Sequence, residues 1–218
     1  MSFNRFLEKT ITKSQRCQRN WDLSRSIPVE DIKTMKTSIT QCSSKQNRVF
    51  YKAKFITNRD IIEKLYNVSD GNTWKSPDGV WHRDKNPQLL ANLVVAFIRD
   101  RDPSEGKRNL QEREAGKHSG GSEKEHPLIA RDEQVALGIA AGYLTLTANM
   151  LGYSSGCCQC GKMKEMQEIL GLSNGEDEKV LLTMGIGYPQ PGVSRLIHHE
   201  TGRRMNSHNK NILVEDIN

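Results

Sequence analysis

The chain has 218 residues, 27% of them charged, and its 32 Lys and Arg against 26 Asp and Glu give a formal net charge of +6. That length is enough for one substantial core or two small ones. Five cysteines, at positions 17, 42, 157, 158 and 160, form an odd set without framework spacing, which excludes a secreted disulfide scaffold and makes reduced thiols the expectation.

The N-terminus, MSFNRFLEKTITKSQR, is polar with no apolar run, so residues 1–13 read as an arm rather than a leader, and a cytoplasmic location is expected. Residues 14–218 read as a single domain. A first helix is predicted over 28–40, where Pro28 suits an early helical position, Glu30 and Asp31 the first turn, and Ile32, Met35 and Ile39 recur at helical spacing. A polar loop over 41–48 leads into 49–56, which alternates as a strand does. Residues 58–67 give a short helix carrying Ile61, Ile62, Leu65 and Tyr66, and residues 89–98 an apolar, Val-rich strand. The segment 100–127, dominated by Gly, Ser, Lys, Glu and Arg, reads as a mobile insertion over the site rather than a second domain.

Val135 to Gly161 contains no charged side chain at all. Its first part could be a membrane span or a buried core helix, since both are long and apolar. Gly138, Gly142, Thr145, Thr147 and Asn149 interrupt it, and Tyr143 and Tyr153 make no aromatic belt, so a membrane span is disfavoured. Asp132 and Glu133 suit a helix start and Gly152 a stop, so residues 132–151 are predicted to be a central helix packed on every side. Residues 152–161 read as a flexible Gly/Cys loop, followed by a helix, a strand over 181–186 and a polar tail over 195–218. Within that tail Ile212-Leu213-Val214 could dock as a terminal strand or arm.

These elements mix helices and strands without a βαβ rhythm, which favours an α+β fold. No G-x-G-x-x-G follows a strand and no G-x-x-x-x-G-K-[ST] is present, against a Rossmann site and a phosphate loop. The basic excess gathers near 13–25 and 195–210 and could converge on one phosphate-bearing ligand or be a solvated surface. The aromatics, 6% of the chain, are not interleaved with it, so a nucleic-acid-binding protein is the weaker alternative. C-C-x-C is not the C-x-x-C pairing of structural zinc sites or thiol redox centres, so no metal is expected. His198-His199-Glu200 reads as a surface cluster.

Arg16-Cys17-Gln18-Arg19-Asn20-Trp21, Ser43-Ser44-Lys45-Gln46-Asn47, Asn86-Pro87-Gln88-Leu89-Leu90-Ala91, Leu151-Gly152-Tyr153 and Gly185-Ile186-Gly187-Tyr188-Pro189 follow one another along the chain. In that order and approximate spacing they resemble the nitroreductase family. The resemblance runs from about Ser14 to Tyr188 and leaves the insertion and the tail outside it.

The resemblance implies a central mixed or antiparallel sheet surrounded by helices, in an intertwined homodimer. It implies FMN as cofactor, NADH or NADPH as reductant, and hydride transfer to a nitroaromatic, quinone or similar electron-poor small molecule. Flavin destruction or reductive dehalogenation would share the same motifs. The family's phosphate-gripping pattern falls on Gln15, Cys17 and Arg19, with Gln15 in place of an Arg and Cys17 in place of a Ser, and with Arg16 able to restore the missing charge. Ser43, Ser44 and Gln46 or Asn47 would reach the flavin of the partner subunit. Asn86 and Gln88 would face the pyrimidine edge, Gln159 and Cys160 would lie beside the ring, and Arg203 and Arg204, with Lys210, would make a second phosphate grip.

Overall fold

The computed structural model describes residues 2–71, 73–100, 127–159, 161–173, 178–205 and 212–217. Its centre is β4 (Leu93–Arg99), whose run Leu-Val-Val-Ala-Phe-Ile is buried throughout. A continuous apolar strand needs cover on both faces. Leu93, Val95 and Phe97 point to one face, toward Met35 and Ile39 of α2 (Val29–Thr40) and Leu137, Ala140, Leu144 and Ala148 of α4 (Pro127–Met150). Val94, Ala96 and Ile98 point to the other, toward Ile62 and Leu65 of α3 (Arg59–Asn67) and Met166 and Leu170 at α5 (Met163–Ile169).

The sheet is four-stranded and antiparallel. β4 lies between β1 (Tyr51–Ile56) and β6 (Val180–Gly187), and β5 (Ser154–Cys158) closes the far edge. The fold is thus α+β with five α-helices among the described residues. A separate two-stranded hairpin, β2 (Thr73–Lys75) with β3 (Trp81–Arg83), stands between α3 and a 3₁₀ turn at Pro87–Leu90.

Several expectations change. The N-terminal arm is α1 (Phe3–Ser14), opened by the Ser2 hydroxyl accepting from Arg5 N–H and packed along α4. The strand predicted over 89–98 starts only at Leu93, because Asn86 caps the 3₁₀ turn before it. The flexible loop predicted over 152–161 is largely β5, whose low-propensity Ser, Gly and Cys residues are held by pairing with β6.

α4 begins at Pro127, and Asp132 and Glu133 are not at its start. They tie the helix to its neighbours, Asp132 through Lys45 at 2.6 Å and Glu133 through Arg99 at 2.9 Å. Nor is α4 packed on every side within the chain, since Val135, Gly138, Gly142, Tyr143 and Met150 form one exposed stripe. Ile212, Leu213 and Val214 are exposed and join no sheet. Residues 101–126, nearly all of the predicted insertion, lie outside the described residues. Among the described residues no helix is long and apolar enough to cross a membrane.

Candidate functional site

A cavity of about 340 Å³ opens between the segment 84–88, β5 and the segment 198–205. It brings together Arg19, Asn86, Gln88 and Gln159 with Asp84, Cys157 and His198.

The wall of this cavity is set by close backbone approach. Gln18 N–H donates to Ser155 O at 2.9 Å, laying the chain after α1 along the open edge of β5. A Cβ on Gly156 would stand 2.8 Å from Gln18 O and 3.0 Å from Gln88 Cγ. Its partner across the ladder, Gly185, is tighter still, for a Cβ there would meet Gln88 O at 1.9 Å. Two facing glycines therefore let the 3₁₀ turn settle on the sheet. Trp21 Nε1–H donates to Pro87 O at 2.9 Å and fixes the turn from the other side. The Asn86 amide is used within this wall, its Oδ1 accepting from Gln88 N–H at 3.0 Å and its Nδ2 lying 2.8 Å from Cys158 Sγ.

Two side chains that line the cavity each keep a buried polar atom without a hydrogen-bond partner, Arg19 Nη1 and Gln88 Oε1. A buried guanidinium nitrogen and a buried amide oxygen left alone are costly. Desolvation lowers the Arg19 pKa from its ordinary value, against the opposing pull of the Cys17 thiol and with Arg195 adding to the lowering. Arg195 is brought there by Asn20, whose Nδ2 donates to Ser194 O and Ile197 O, both at 2.8 Å. Arg195 thereby adds its positive charge to the surroundings of the Arg19 guanidinium.

The C-terminal basic residues are arranged differently from expectation. Arg203 donates to Asp84 through Nη2 at 2.5 Å and Nε at 3.2 Å, and stands 5.4 Å over the Trp74 ring. Burial alone would raise the Asp84 pKa, but hydrogen bonds from Arg203 and Trp74 outweigh it and hold the carboxyl below its ordinary value. Arg204 is exposed, in a bridge with Ile197. The cation whose charge reaches Arg19 is Arg195, at the head of the basic stretch 195–210, rather than Arg203 or Arg204. Gln15 and Arg16 are exposed, and Arg16 joins Arg5, Lys9 and Lys13 along α1 rather than the cavity.

Gln159 lines the cavity and its Nε2 donates to Leu181 O at 3.3 Å, while Cys160 lies outside the described residues. Cys17, Cys42 and Cys157 are free thiols, but Cys158 is disulfide-bonded, so the expectation of reduced thiols fails for it. Desolvation by the surrounding wall pushes the Cys157 thiol up to about 11, the Cys17 thiol adding and a Thr145 hydrogen bond opposing, although the residue still reaches solvent. His198, expected at the surface, is fully buried. Its Nδ1 lies 3.3 Å from Glu200 N–H and its Nε2 3.1 Å from Lys85 O, so this ring ties the tail to the segment before Asn86. Among the described residues no group of His, Cys, Asp and Glu is arranged to hold a metal ion.

Ser43, Ser44 and Asn47 are not at this cavity. They line a second one of about 290 Å³ that ends on Ala136 of α4. Gln46 and Asn47 hold left-handed conformations, φ +54° and +55°, a strained pair for non-glycine residues. The Ser44 hydroxyl closes the loop on Arg48 O at 2.7 Å.

An antiparallel four-stranded sheet lies between helical layers, and the cavity lined by Arg19 opens at its glycine-lined edge, which defines an α+β fold with one candidate site. A sequence model of the nitroreductase family matches residues 12–188, and the chain belongs to that family. It is accordingly a flavin-linked oxidoreductase. The fold is similar to that of a candidate nitroreductase from Bacillus subtilis, with a TM-score of 0.65, 14% identity, and 99% of this chain and 100% of that chain covered. It is also similar to a nitroreductase family protein from Streptococcus pneumoniae TIGR4, with a TM-score of 0.62, 15% identity, and 97% and 100% covered. A candidate NAD(P)H:FMN oxidoreductase from Staphylococcus epidermidis aligns with a TM-score of 0.64, 12% identity, and 97% and 95% covered. Comparison with curated protein sequences gives no match.

Proposed function

We propose that the protein is a homodimeric FMN enzyme that oxidises NADH or NADPH and reduces a nitroaromatic, quinone or similar electron-poor small molecule. The observation that carries this reading is the pair of unpartnered buried atoms at the cavity, Arg19 Nη1 and Gln88 Oε1. A phosphate would satisfy the first, with Arg195 beside it, and the N–H of a flavin pyrimidine edge would satisfy the second. The residues present therefore fit FMN. When bound, FMN supplies the hydride chemistry between nicotinamide and acceptor.

The chain's own part is to bind and orient. Arg19 and Arg195 would hold the phosphate, Gln88 the pyrimidine edge, and Asn86 the turn that carries Gln88. Cys157 follows Ser155 by two residues on β5, so its backbone N–H faces the same open edge that receives Gln18, where it would favour negative charge beside the ring. The protein need provide no acid or base for the hydride step.

Two features support the dimer. The open stripe of α4 presents Val135, Tyr143 and Met150 to solvent, with no atom within 4 Å of a Cβ added to Gly138 or Gly142. The strained 43–48 loop, remote from the cavity of its own chain, would then reach the flavin of a second copy through Ser43, Ser44 and Asn47.

The test is the absorption spectrum of the purified protein. Flavin bands that are lost from the protein on denaturation are expected, and Arg19→Ala should weaken FMN retention by roughly tenfold or more, the worth of a charge-assisted contact. A colourless protein that fails to take up added FMN would overturn the reading.

A further inference from the structure

The hairpin β2–β3 has two unlike faces. On one, Trp74 stacks on His82 with ring centroids 4.6 Å apart, donates through Nε1 to Asp84 at 2.8 Å, and lies under Arg203. That face is committed to the tail and the cavity floor. The other face carries Thr73, Lys75, Trp81 and Arg83, because strand residues alternate and the register pairs Thr73 with Arg83 and Lys75 with Trp81. Trp81 is 67% exposed, with Lys75 Nζ 5.8 Å from its ring centroid, and Arg83 is the next residue along the strand on the same face. Arg83 Nε lies 3.5 Å from Asp70, and the side chain remains 62% exposed. Asp78, at the hairpin turn, is tied to Ser76.

A large indole held out in water on a face that also carries two cations has no role in the core of this chain. Its chemistry suits a purine ring stacked on the indole with a phosphate dianion between the ammonium and the guanidinium. The hairpin is also rooted in the flavin cavity, since Gly71 and Asp84 at its two feet both line it and Gly71 N–H donates to Asp84 O at 2.6 Å. Trp81 stands three residues up the strand from Asp84, about 10 Å at the strand rise.

We propose that the outer face of this hairpin binds the adenosine 2′-phosphate end of NADPH, with Trp81 under the adenine and Lys75 and Arg83 on the 2′-phosphate, and so selects NADPH over NADH. This assignment rests on the cavity being the flavin site only for its redox consequence. The adenosine site itself belongs to the hairpin.

The probe is 2′,5′-ADP, which carries the 2′-phosphate and no nicotinamide, followed by calorimetry on the purified protein whose flavin content is read separately by absorbance. Saturable binding is expected, weaker by roughly tenfold or more for 5′-ADP, whose ribose lacks the 2′-phosphate. Trp81→Ala and Arg83→Gln should each lower affinity for 2′,5′-ADP by about tenfold, and Trp81→Phe should largely restore it. In flavin-loaded enzyme the same variants should raise KM for NADPH and leave kcat and the KM of the acceptor unchanged. No binding of 2′,5′-ADP, equal binding of 5′-ADP, or binding indifferent to Trp81→Ala would overturn the proposal. Flavin retained with any of those outcomes would leave the FMN reading standing, whereas hairpin-dependent binding in a protein without flavin would leave the hairpin site standing and remove the FMN reading.

Discussion

Gly185 and Gly142 both lie in apolar elements of this fold, yet a methyl group added to each would meet opposite surroundings. At Gly185 it would be 1.9 Å from the carbonyl oxygen of Gln88, and at Gly142 it would find nothing within 4 Å. The first glycine is required by contacts within the chain. The second has no such reason, so its use must be sought in what covers α4 from outside. The same residue type thus marks the closed wall of the candidate site in one region and an uncovered seam in the other.

The closed wall is where the largest effect is expected. Gly185→Ala drives a Cβ into backbone rather than into a flexible side chain, so β6 and the 3₁₀ turn at Pro87–Leu90 must separate. A loss of more than about 3 kcal/mol is expected from such overpacking, with Gln88 displaced and flavin retention lost together. Denaturant melts with flavin absorbance followed in parallel would check both. A variant that folds with unchanged stability would mean that the turn does not sit on the sheet as described.

A smaller effect is expected below that wall, at Asp84. Asp84→Asn removes the carboxylate that accepts from Arg203 and Trp74, and a cost on the order of 2 kcal/mol at neutral pH is expected. Since the folded carboxyl titrates below its ordinary value of about 3.9, its stabilisation is complete above that pH and is lost as pH falls through the folded pKa. The difference in urea stability between the wild type and Asp84→Asn should therefore hold steady from neutral pH down to about pH 5 and close only in acid below the ordinary carboxylate range. A difference that persisted into acid would show that the side chain's shape, rather than its charge, supports the hairpin and the tail.

What could be read from the sequence divides along the same lines. β4 announces itself because a strand buried on both faces is apolar without interruption, and α2 and α3 because their apolar residues recur at helical spacing. Arg19 was legible as part of a local pattern. Arg195 was legible only as one member of the basic stretch 195–210, because what places it is Asn20 bonding to Ser194 and Ile197, a contact with no local trace. β5 was hidden by its composition, since Ser, Gly and Cys have little strand preference of their own and only the pairing with β6 makes them one. The hairpin was hidden by its length, three residues on each side. The start of α4 was misplaced because Asp132 and Glu133 suit a helix N-terminus, and only the fold shows them paired with Lys45 and Arg99 instead.

The open seam of α4 gives the smallest change in chain stability and the sharpest contrast in sign. With no neighbour to strike, Gly138→Ala and Gly142→Ala should each favour the helix by up to about 1 kcal/mol, as alanine does over glycine in helix interiors. If the same stripe packs on a second copy, those Cβ atoms enter the contact and hold the two helices apart. The variants should then dissociate more readily, by roughly tenfold in the dimer constant for a misfit of about 1.4 kcal/mol. Sedimentation velocity across a dilution series would measure the constant, and melts at the two ends of that series would separate the gain in the chain from the loss at the contact. Stabilisation at every concentration, with no change in assembly, would mean that α4's open face is not where two copies meet.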